Sequence, residues 1–274
     1  MHRTAVIGAL TLSSMHTLLV VPTYNEAETI AEVLRGARAA VPDLEVVVVD
    51  DGSPDGTAEI AAATGRDIGG VHVLRRGRRI GFGDAYRAGF SWGLQRGAEV
   101  LLQMDADLSH DPGALPELVA GLAGHDLVIG SRYIPGGSVP HWSLHRRLLS
   151  RVGNRYAAFM LGLALHDVTS GYRAWRADML RAIDLESIQA EGYGFQIEMA
   201  YRAVNEGARV QEVPITFVDR VRGESKMSGA IIAEAMLLVT RWGIARDWAA
   251  LRGVGPVARP SAPKESAAGR QQTR

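Results

Sequence analysis

The chain has 274 residues, 47% of them hydrophobic and 22% charged, and its 30 basic side chains balance 30 acidic ones. That composition supplies a core for one large α/β domain, and a net charge of zero gives no electrostatic footprint for nucleic acid, so none is expected as a partner. The absence of cysteine excludes disulfides, thiolate metal sites and cysteine nucleophiles, and fits a reducing compartment.

In chain order, Arg3 to Leu12 has the charge and apolar run of a weak signal peptide but no small-residue cleavage site. Residues 1–16 are therefore expected to be a disordered leader or an over-long start, with Met15 as a plausible first residue. Strand-like apolar runs follow at Thr17–Pro22, Glu45–Asp50, Val71–Leu74, Val100–Asp105 and Leu127–Gly130. Helical patterns separate them at Glu26–Ala40, Pro54–Thr64, Gly83–Arg96 and Pro112–Leu122. Val46 to Val49 is continuous rather than alternating, as in a parallel strand covered on both faces. This order predicts a doubly wound, mostly parallel sheet flanked by helices, with ligands beyond the carboxyl ends of its strands.

After Gly130 a stretch of Gly, Pro and aromatics, Tyr133–Trp142, leads into a basic amphipathic helix over Leu144–Leu163. A polar turn at His166–Arg173 comes next, then helices near Ala177–Ile183 and Phe195–Asn205 and a strand at Val210–Val218. The last element is an amphipathic helix over Ser228–Trp248, suited to core packing or to an interface or partner. Glu234 interrupts it, and its apolar run falls short of the roughly 20 residues that span a bilayer. The folded domain is placed at 17–249, and 250–274, rich in Pro, Ala, Ser and charge, is expected to be disordered.

Polar clusters fall at three strand ends. Pro22-Thr23-Tyr24-Asn25-Glu26 reads either as a turn with Asn25 capping the next helix or as a nucleotide pocket, with Tyr24 near a base and Glu26 bonding base or ribose. Asp50-Asp51-Gly52-Ser53 reads as a ribose or base contact, or as a turn in which Asp51 is the cap. Asp105-Ala106-Asp107 is the strongest cluster. Residues i and i+2 of an extended chain point the same way, so two carboxylates would meet a hard divalent cation, Mg2+ or Mn2+, against a diphosphate. Gly81 and Gly83 open a helix whose amino end suits a phosphate, with a plain loop as the alternative. A basic set, Arg132 with Arg146, Arg147, Ser150 and Arg151, suits a second phosphate or a solvated helix face. Asp219 to Lys226 could close over the site as a loop.

At this point the chain resembles glycosyltransferase family 2 and, within it, the dolichol-phosphate or polyprenol-phosphate mannose synthases. The stretches that carry the resemblance include VVPTYNE (20–26), VVDDGSPDGT (48–57), IGFGDAYRAGF (80–90), MDADLSHDP (104–112), VIGSRYIPGG (128–137), DVTSGYRAW (167–175) and VPITFVDRVRGESKMS (213–228). They run in family order over about residues 17 to 248. The resemblance implies a GT-A-type fold and transfer of mannose from GDP-mannose to a polyprenyl monophosphate. It implies nucleotide-binding roles for Pro22, Tyr24, Glu26, Asp50 and Asp51, and a metal and diphosphate site at Asp105 and Asp107. It further implies acceptor-phosphate and donor contacts at Arg132, Arg146, Ser150 and Arg220, with Lys226 in a mobile loop. Ser109 departs from the glutamine that joins the metal ligands in several members, and the C-terminal transmembrane hairpins of many members are missing. A soluble catalytic type is implied, docking on the cytoplasmic face of a membrane or on a membrane-embedded partner.

A phosphate monoester is already a nucleophile at neutral pH, because its second pKa is near 6. Single-step inverting displacement then needs no side-chain base, with Asp107, Arg132 and Arg220 as the catalytic set. The rivals are UDP-glucose as donor, a polysaccharide-extending transferase that would need a carboxylate base, for which Asp167 is the one candidate, and a non-catalytic nucleotide-binding subunit.

Overall fold

The computed structural model describes residues 15–78, 81–188, 190–219 and 229–251. The leader expected over 1–16 and the tail over 250–274 lie outside these residues except at their inner ends. Met15 and His16 belong to the fold: the His16 carbonyl accepts the amides of Glu99 and Val100, and Met15 packs on the core.

Seven strands form one sheet. In chain order they are β1 (Thr17–Thr23), β2 (Glu45–Asp50), β3 (Val71–Arg75), β4 (Val100–Gln103), β5 (Leu127–Ser131), β6 (Arg173–Arg176) and β7 (Val210–Pro214), arranged β3-β2-β1-β4-β6-β5-β7. The longer helices are α1 (Ile30–Ala40), α2 (Thr57–Ile68), α3 (Phe82–Gln95), α4 (Leu115–Gly121), α5 (Leu144–Leu161), α6 (Ala177–Ala182), α7 (Gly192–Asn205) and α8 (Gly229–Leu251). All pairings are parallel except those of β6, which runs antiparallel between β4 and β5. The expected doubly wound, mostly parallel sheet is present, with one added strand, β6, in the stretch left unassigned between the polar turn ending at Arg173 and the helix from Ala177.

The four valines of β2 explain why the sheet sits between two helical layers. Val46 and Val48 pack with Leu19, Val21, Ile30 and Leu34 on one face, and Val47 and Val49 with Leu18, Val20, Tyr86 and Phe90 on the other. Each is fully buried, and removing such a side chain from water stabilises the fold by about 1.5–3 kcal/mol. Helix α3 lies so close to the sheet that a Cβ on Gly89 would come within 2.3 Å of Val20. A third cluster joins α5, α7 and α8 through Ala157, Leu161, Ile197 and Val239. Among the described residues no helix is long and apolar enough to cross a membrane.

Candidate active site

The carboxyl ends of β1 and β2 carry two turns that are laced together. Three successive amides of the first turn donate to side chains of the second: Asn25 to Ser53 Oγ at 3.1 Å, Glu26 to Thr57 Oγ1 at 2.9 Å, and Ala27 to Asp55 Oδ2 at 3.0 Å. This lacing delays α1, expected from Glu26, until Ile30. Asn25 is therefore not a helix cap; it takes a left-handed backbone (φ 60°), which asparagine tolerates better than most residues. Helix α2 likewise starts at Thr57 rather than Pro54, because Asp55 takes both the amide and the hydroxyl of Thr57.

Asp50 and Asp51 divide the work differently from either expectation. Asp50 is buried and accepts from the Thr23 and Ser53 hydroxyls and the Ser53 amide, and it does not line the cleft. It braces the turn. Asp51 is not a cap; it pairs with Arg76 at 2.6 Å and faces a cleft of about 110 Å3. Pro22, Tyr24, Glu26 and Gly81 line that cleft together with Asp51, Asp105 and Asp107.

Gly81 and Gly83 do stand at the amino end of α3, but a carboxylate already sits there: the Gly83 amide donates to Glu191 Oε2 at 2.9 Å. Gly83 is small because a Cβ would meet the Phe195 ring and the Ala190 carbonyl at about 3 Å. In the basic stretch Arg75-Arg76-Gly77-Arg78-Arg79 the first two arginines are held in ion pairs. Arg75 pairs with Glu59, and Arg76 with Asp51 and Asp84; Arg79 lies outside the described residues.

Strand β4 ends at Gln103, earlier than expected, so the two aspartates do not share a pleated segment. A bend brings them together instead. Asp107 Oδ1 accepts the Ser109 amide at 3.0 Å across a left-handed Leu108 (φ 61°). Asp105 Oδ1 accepts the Tyr86 hydroxyl at 3.2 Å. Burial first, and the Asp105 charge second, push the Tyr86 pKa well above its usual value, so the hydroxyl stays protonated as a donor. His110 stacks on Tyr172 and accepts the Asp105 amide through Nδ1 at 3.3 Å. Burial lowers the His110 pKa to about 4, which keeps the ring neutral.

Both carboxylates open onto the cleft described above and onto a second cavity of about 320 Å3. The Ser109 hydroxyl, on the wall of that cavity, is buried without a hydrogen-bond partner among the described residues. Two carboxylates and a hydroxyl are hard oxygen donors, and they fit Mg2+ or Mn2+, which commonly take one or two carboxylates and complete their shell with water and substrate phosphate. Among the described residues no group of three or more His, Cys, Asp or Glu side chains could hold a metal.

The far wall of the second cavity is built on Arg132, just beyond β5. Its Nε and Nη2 donate to the two oxygens of Asp167, each at 2.7 Å, and Nη2 also reaches Thr169 at 2.8 Å. Burial alone would raise the Asp167 pKa, but the arginine beside it brings the net value below the usual carboxylate range. Asp167 is thus a buried anion locked to a cation, which removes it as the base a polysaccharide-extending enzyme would need.

Arg146 lies over Trp142, 4.1 Å from its centroid, and bonds Asp219 at 2.7 Å. Ser150 accepts the Tyr133 hydroxyl at 2.6 Å and lines an adjoining apolar groove with Arg132 and Arg146. Arg147 departs from expectation: it bonds the Val139 carbonyl and lines none of these cavities. Arg220 and Lys226 lie outside the described residues.

Several wall residues were not singled out in the sequence. Tyr86, Trp142, Thr169, Tyr193 and Phe217 reach the site or its support from separate elements. Arg173, on the overlooked β6, is fully buried and donates to the carbonyls of Val168, Ser170 and Gln196, fixing the loop that lines the cavity. Burial lowers its pKa to about 9.

Residues 18–184 match the model of Glycosyl transferase family 2. An Undecaprenyl-phosphate mannosyltransferase of Micrococcus luteus is 52% identical over 238 residues, 87% of this chain and 98% of that protein. A Polyprenol monophosphomannose synthase of Mycolicibacterium smegmatis is 48% identical over 243 residues, covering 88% and 92% of the two chains. Among solved structures, glucosyl-3-phosphoglycerate synthase from Mycobacterium tuberculosis, in complex with Mn2+, UDP and glucosyl-3-phosphoglycerate, matches with a TM-score of 0.65. It is 21% identical, with 87% of this chain and 83% of that one covered, a likeness of fold alone.

Proposed function

The chain belongs to glycosyl transferase family 2 and is a glycosyltransferase, and on that premise we propose that it transfers mannose from GDP-mannose to a polyprenyl monophosphate at the cytoplasmic face of a membrane. The observation that carries this reading is the shared wall: Asp105 and Asp107 open both onto the Tyr24–Glu26–Asp51 cleft and onto the cavity of Arg132 and Arg146. The names of the two bacterial relatives support mannose and the lipid phosphate.

In this reading GDP-mannose enters the laced-turn cleft, with its base and ribose near Tyr24, Glu26 and Asp51 and its diphosphate at Asp105 and Asp107. A divalent cation held by that pair, Mg2+ or Mn2+, supplies neutralising charge at the diphosphate when bound. Tyr86 and His110 orient Asp105, and the turn at Ser109 orients Asp107. The acceptor phosphate sits between Arg132 and Arg146, with Ser150 beside it. One of its oxygens forms the bond to the anomeric carbon as the bond to the departing GDP breaks, with inversion. The phosphate is anionic near neutral pH, so no side-chain base is required. The arginines offset repulsion between two phosphate groups, and positioning supplies most of the acceleration.

The test is incubation of the protein with labelled GDP-mannose, Mn2+ and polyprenyl phosphate, followed by extraction into organic solvent. A parallel incubation with UDP-glucose separates the donors. Lipid-soluble label from mannose alone is expected. Nucleotide binding without metal-dependent turnover would instead mark a non-catalytic subunit.

A further inference from the structure

The carboxamide of Gln196 takes no part in the transfer step described above. Gln196 lies in α7 and is buried. Its backbone is held in place, since its carbonyl accepts Arg173 Nη1 at 2.8 Å and the neighbouring Phe195 is packed in the core. Its side chain ends a series of three groups, and the first of them sets the direction of the others. The Trp175 indole can only donate, and it gives its proton to Gln103 Oε1 at 2.7 Å. The Gln103 nitrogen must then face the other way, where it lies 3.5 Å from Gln196 Oε1. Gln196 therefore keeps its oxygen toward Gln103 and points its Nε2 away from it. That nitrogen is buried and has no hydrogen-bond partner among the described residues.

What the nitrogen faces is marked by Gly171, in the loop before β6. A Cβ on Gly171 would stand 3.5 Å from Gln196 Nε2 and 3.7 and 3.8 Å from the two oxygens of Asp105. An amide donor and a carboxylate acceptor thus flank one space the size of a single heavy atom. Gly171 and Asp105 both line the cavity of about 320 Å3. Gly171 does not take a left-handed backbone, so chain conformation does not demand glycine there. The group that suits the space must accept from an N–H and donate to a carboxylate at once. A hydroxyl does both, whereas a phosphate oxygen only accepts and would be repelled by Asp105. A buried donor without a partner is a cost to the fold. A site built around such a donor rejects a ligand lacking the matching hydroxyl far more strongly than an apolar pocket can.

We infer that Gln196 recognises the transferred sugar: its Nε2 donates to one hydroxyl of the hexose, which lies over Gly171 and itself donates to Asp105. The inference rests on the donor reading above, in which the diphosphate lies at Asp105 and Asp107 and the sugar it carries reaches the larger cavity.

The test is titration calorimetry of the full chain with Mn2+, comparing GDP-mannose with GDP. Gln196→Leu is expected to weaken GDP-mannose about tenfold and to leave GDP unchanged, because GDP brings no hydroxyl to that space. Gly171→Ala fills the space through ordinary contacts and is expected to act the same way, with no change in melting temperature. It decides the matter by itself if the leucine variant does not fold. Among the monodeoxy forms of GDP-mannose, one should bind the leucine variant and the unaltered chain alike, which identifies the hydroxyl. Equal weakening of GDP and GDP-mannose overturns the inference and makes Gln196 a support for Asp105. So does a penalty that persists with every deoxy donor, or GDP-mannose affinity unchanged in either variant. If the unaltered chain binds UDP-glucose but not GDP-mannose, the donor reading fails, and the same comparison of UDP-glucose with UDP still decides the role of Gln196.

Discussion

The two sides of the cleft are held by opposite means. On the side proposed for the donor, turns at 22–27 and 50–57 are fastened to each other by single hydrogen bonds that the backbone amides of Asn25, Glu26 and Ala27 donate to Ser53, Thr57 and Asp55. On the acceptor side, long side chains bring buried charge together from distant parts of the chain: Arg132 with Asp167, and Glu212 holding the amides of His166 and Asp167. The first arrangement is spread over several single hydrogen bonds and loses little when one is removed. The second concentrates its stability in a few groups that cannot be left unpaired.

That contrast can be broken at the shared wall. Asp107→Ala is expected to lower transfer by about a thousandfold or more, roughly 4 kcal/mol of barrier. It should cost only about 1 kcal/mol of stability, for one turn bond. Near-normal transfer in that variant removes the metal assignment. Asp167→Asn comes next, leaving Arg132 buried without its counter-ion, and should cost about 3 kcal/mol in urea denaturation.

The same residue gives the acceptor side a pH signature. The folded-state pKa of Asp167 lies below its ordinary 3.8. Its contribution is therefore complete above that value and is lost as pH falls through the depressed one. Acid titration of stability should show this limb in the native chain and a flatter one in the asparagine variant.

Smaller effects separate positioning from packing. Tyr86→Phe keeps the ring between Phe82, Phe90 and Phe195 and removes only the hydroxyl bonded to Asp105. Transfer should fall about tenfold, Mn2+ binding measured by electron paramagnetic resonance should weaken, and melting should move little. Ser53→Ala on the donor side should cost about 1 kcal/mol and raise KM for the donor while leaving KM for the acceptor unchanged. An equal rise in both would show that the two sides are not independent.

The donor side was largely legible in the sequence because its determinants are contiguous. Continuous valines gave the buried strands, and each polar cluster sits within a few residues of the strand that positions it. Even there, strand alternation was the wrong account of Asp105 and Asp107, since the bend at Leu108 brings them to one wall. The sequence did not separate Asp50 from Asp51, because two of the bonds that distinguish them come from Thr23 and Arg76, 27 and 25 residues away. The acceptor side was less legible for the same reason. Strand β6 is four residues long with two arginines, and nothing local reveals that Arg173 is buried against three carbonyls. Arg132 and Asp167 stand 35 residues apart, so their pairing leaves no spacing signature.

The wall made by Asp105 and Asp107 also bears on traffic through the molecule. Each compartment has its own lining apart from those two side chains, so in the proposed reaction nucleotide and acceptor meet only across Asp105 and Asp107. On that proposal, spent nucleotide leaves by the turn-lined cleft without disturbing the residues that hold the acceptor phosphate.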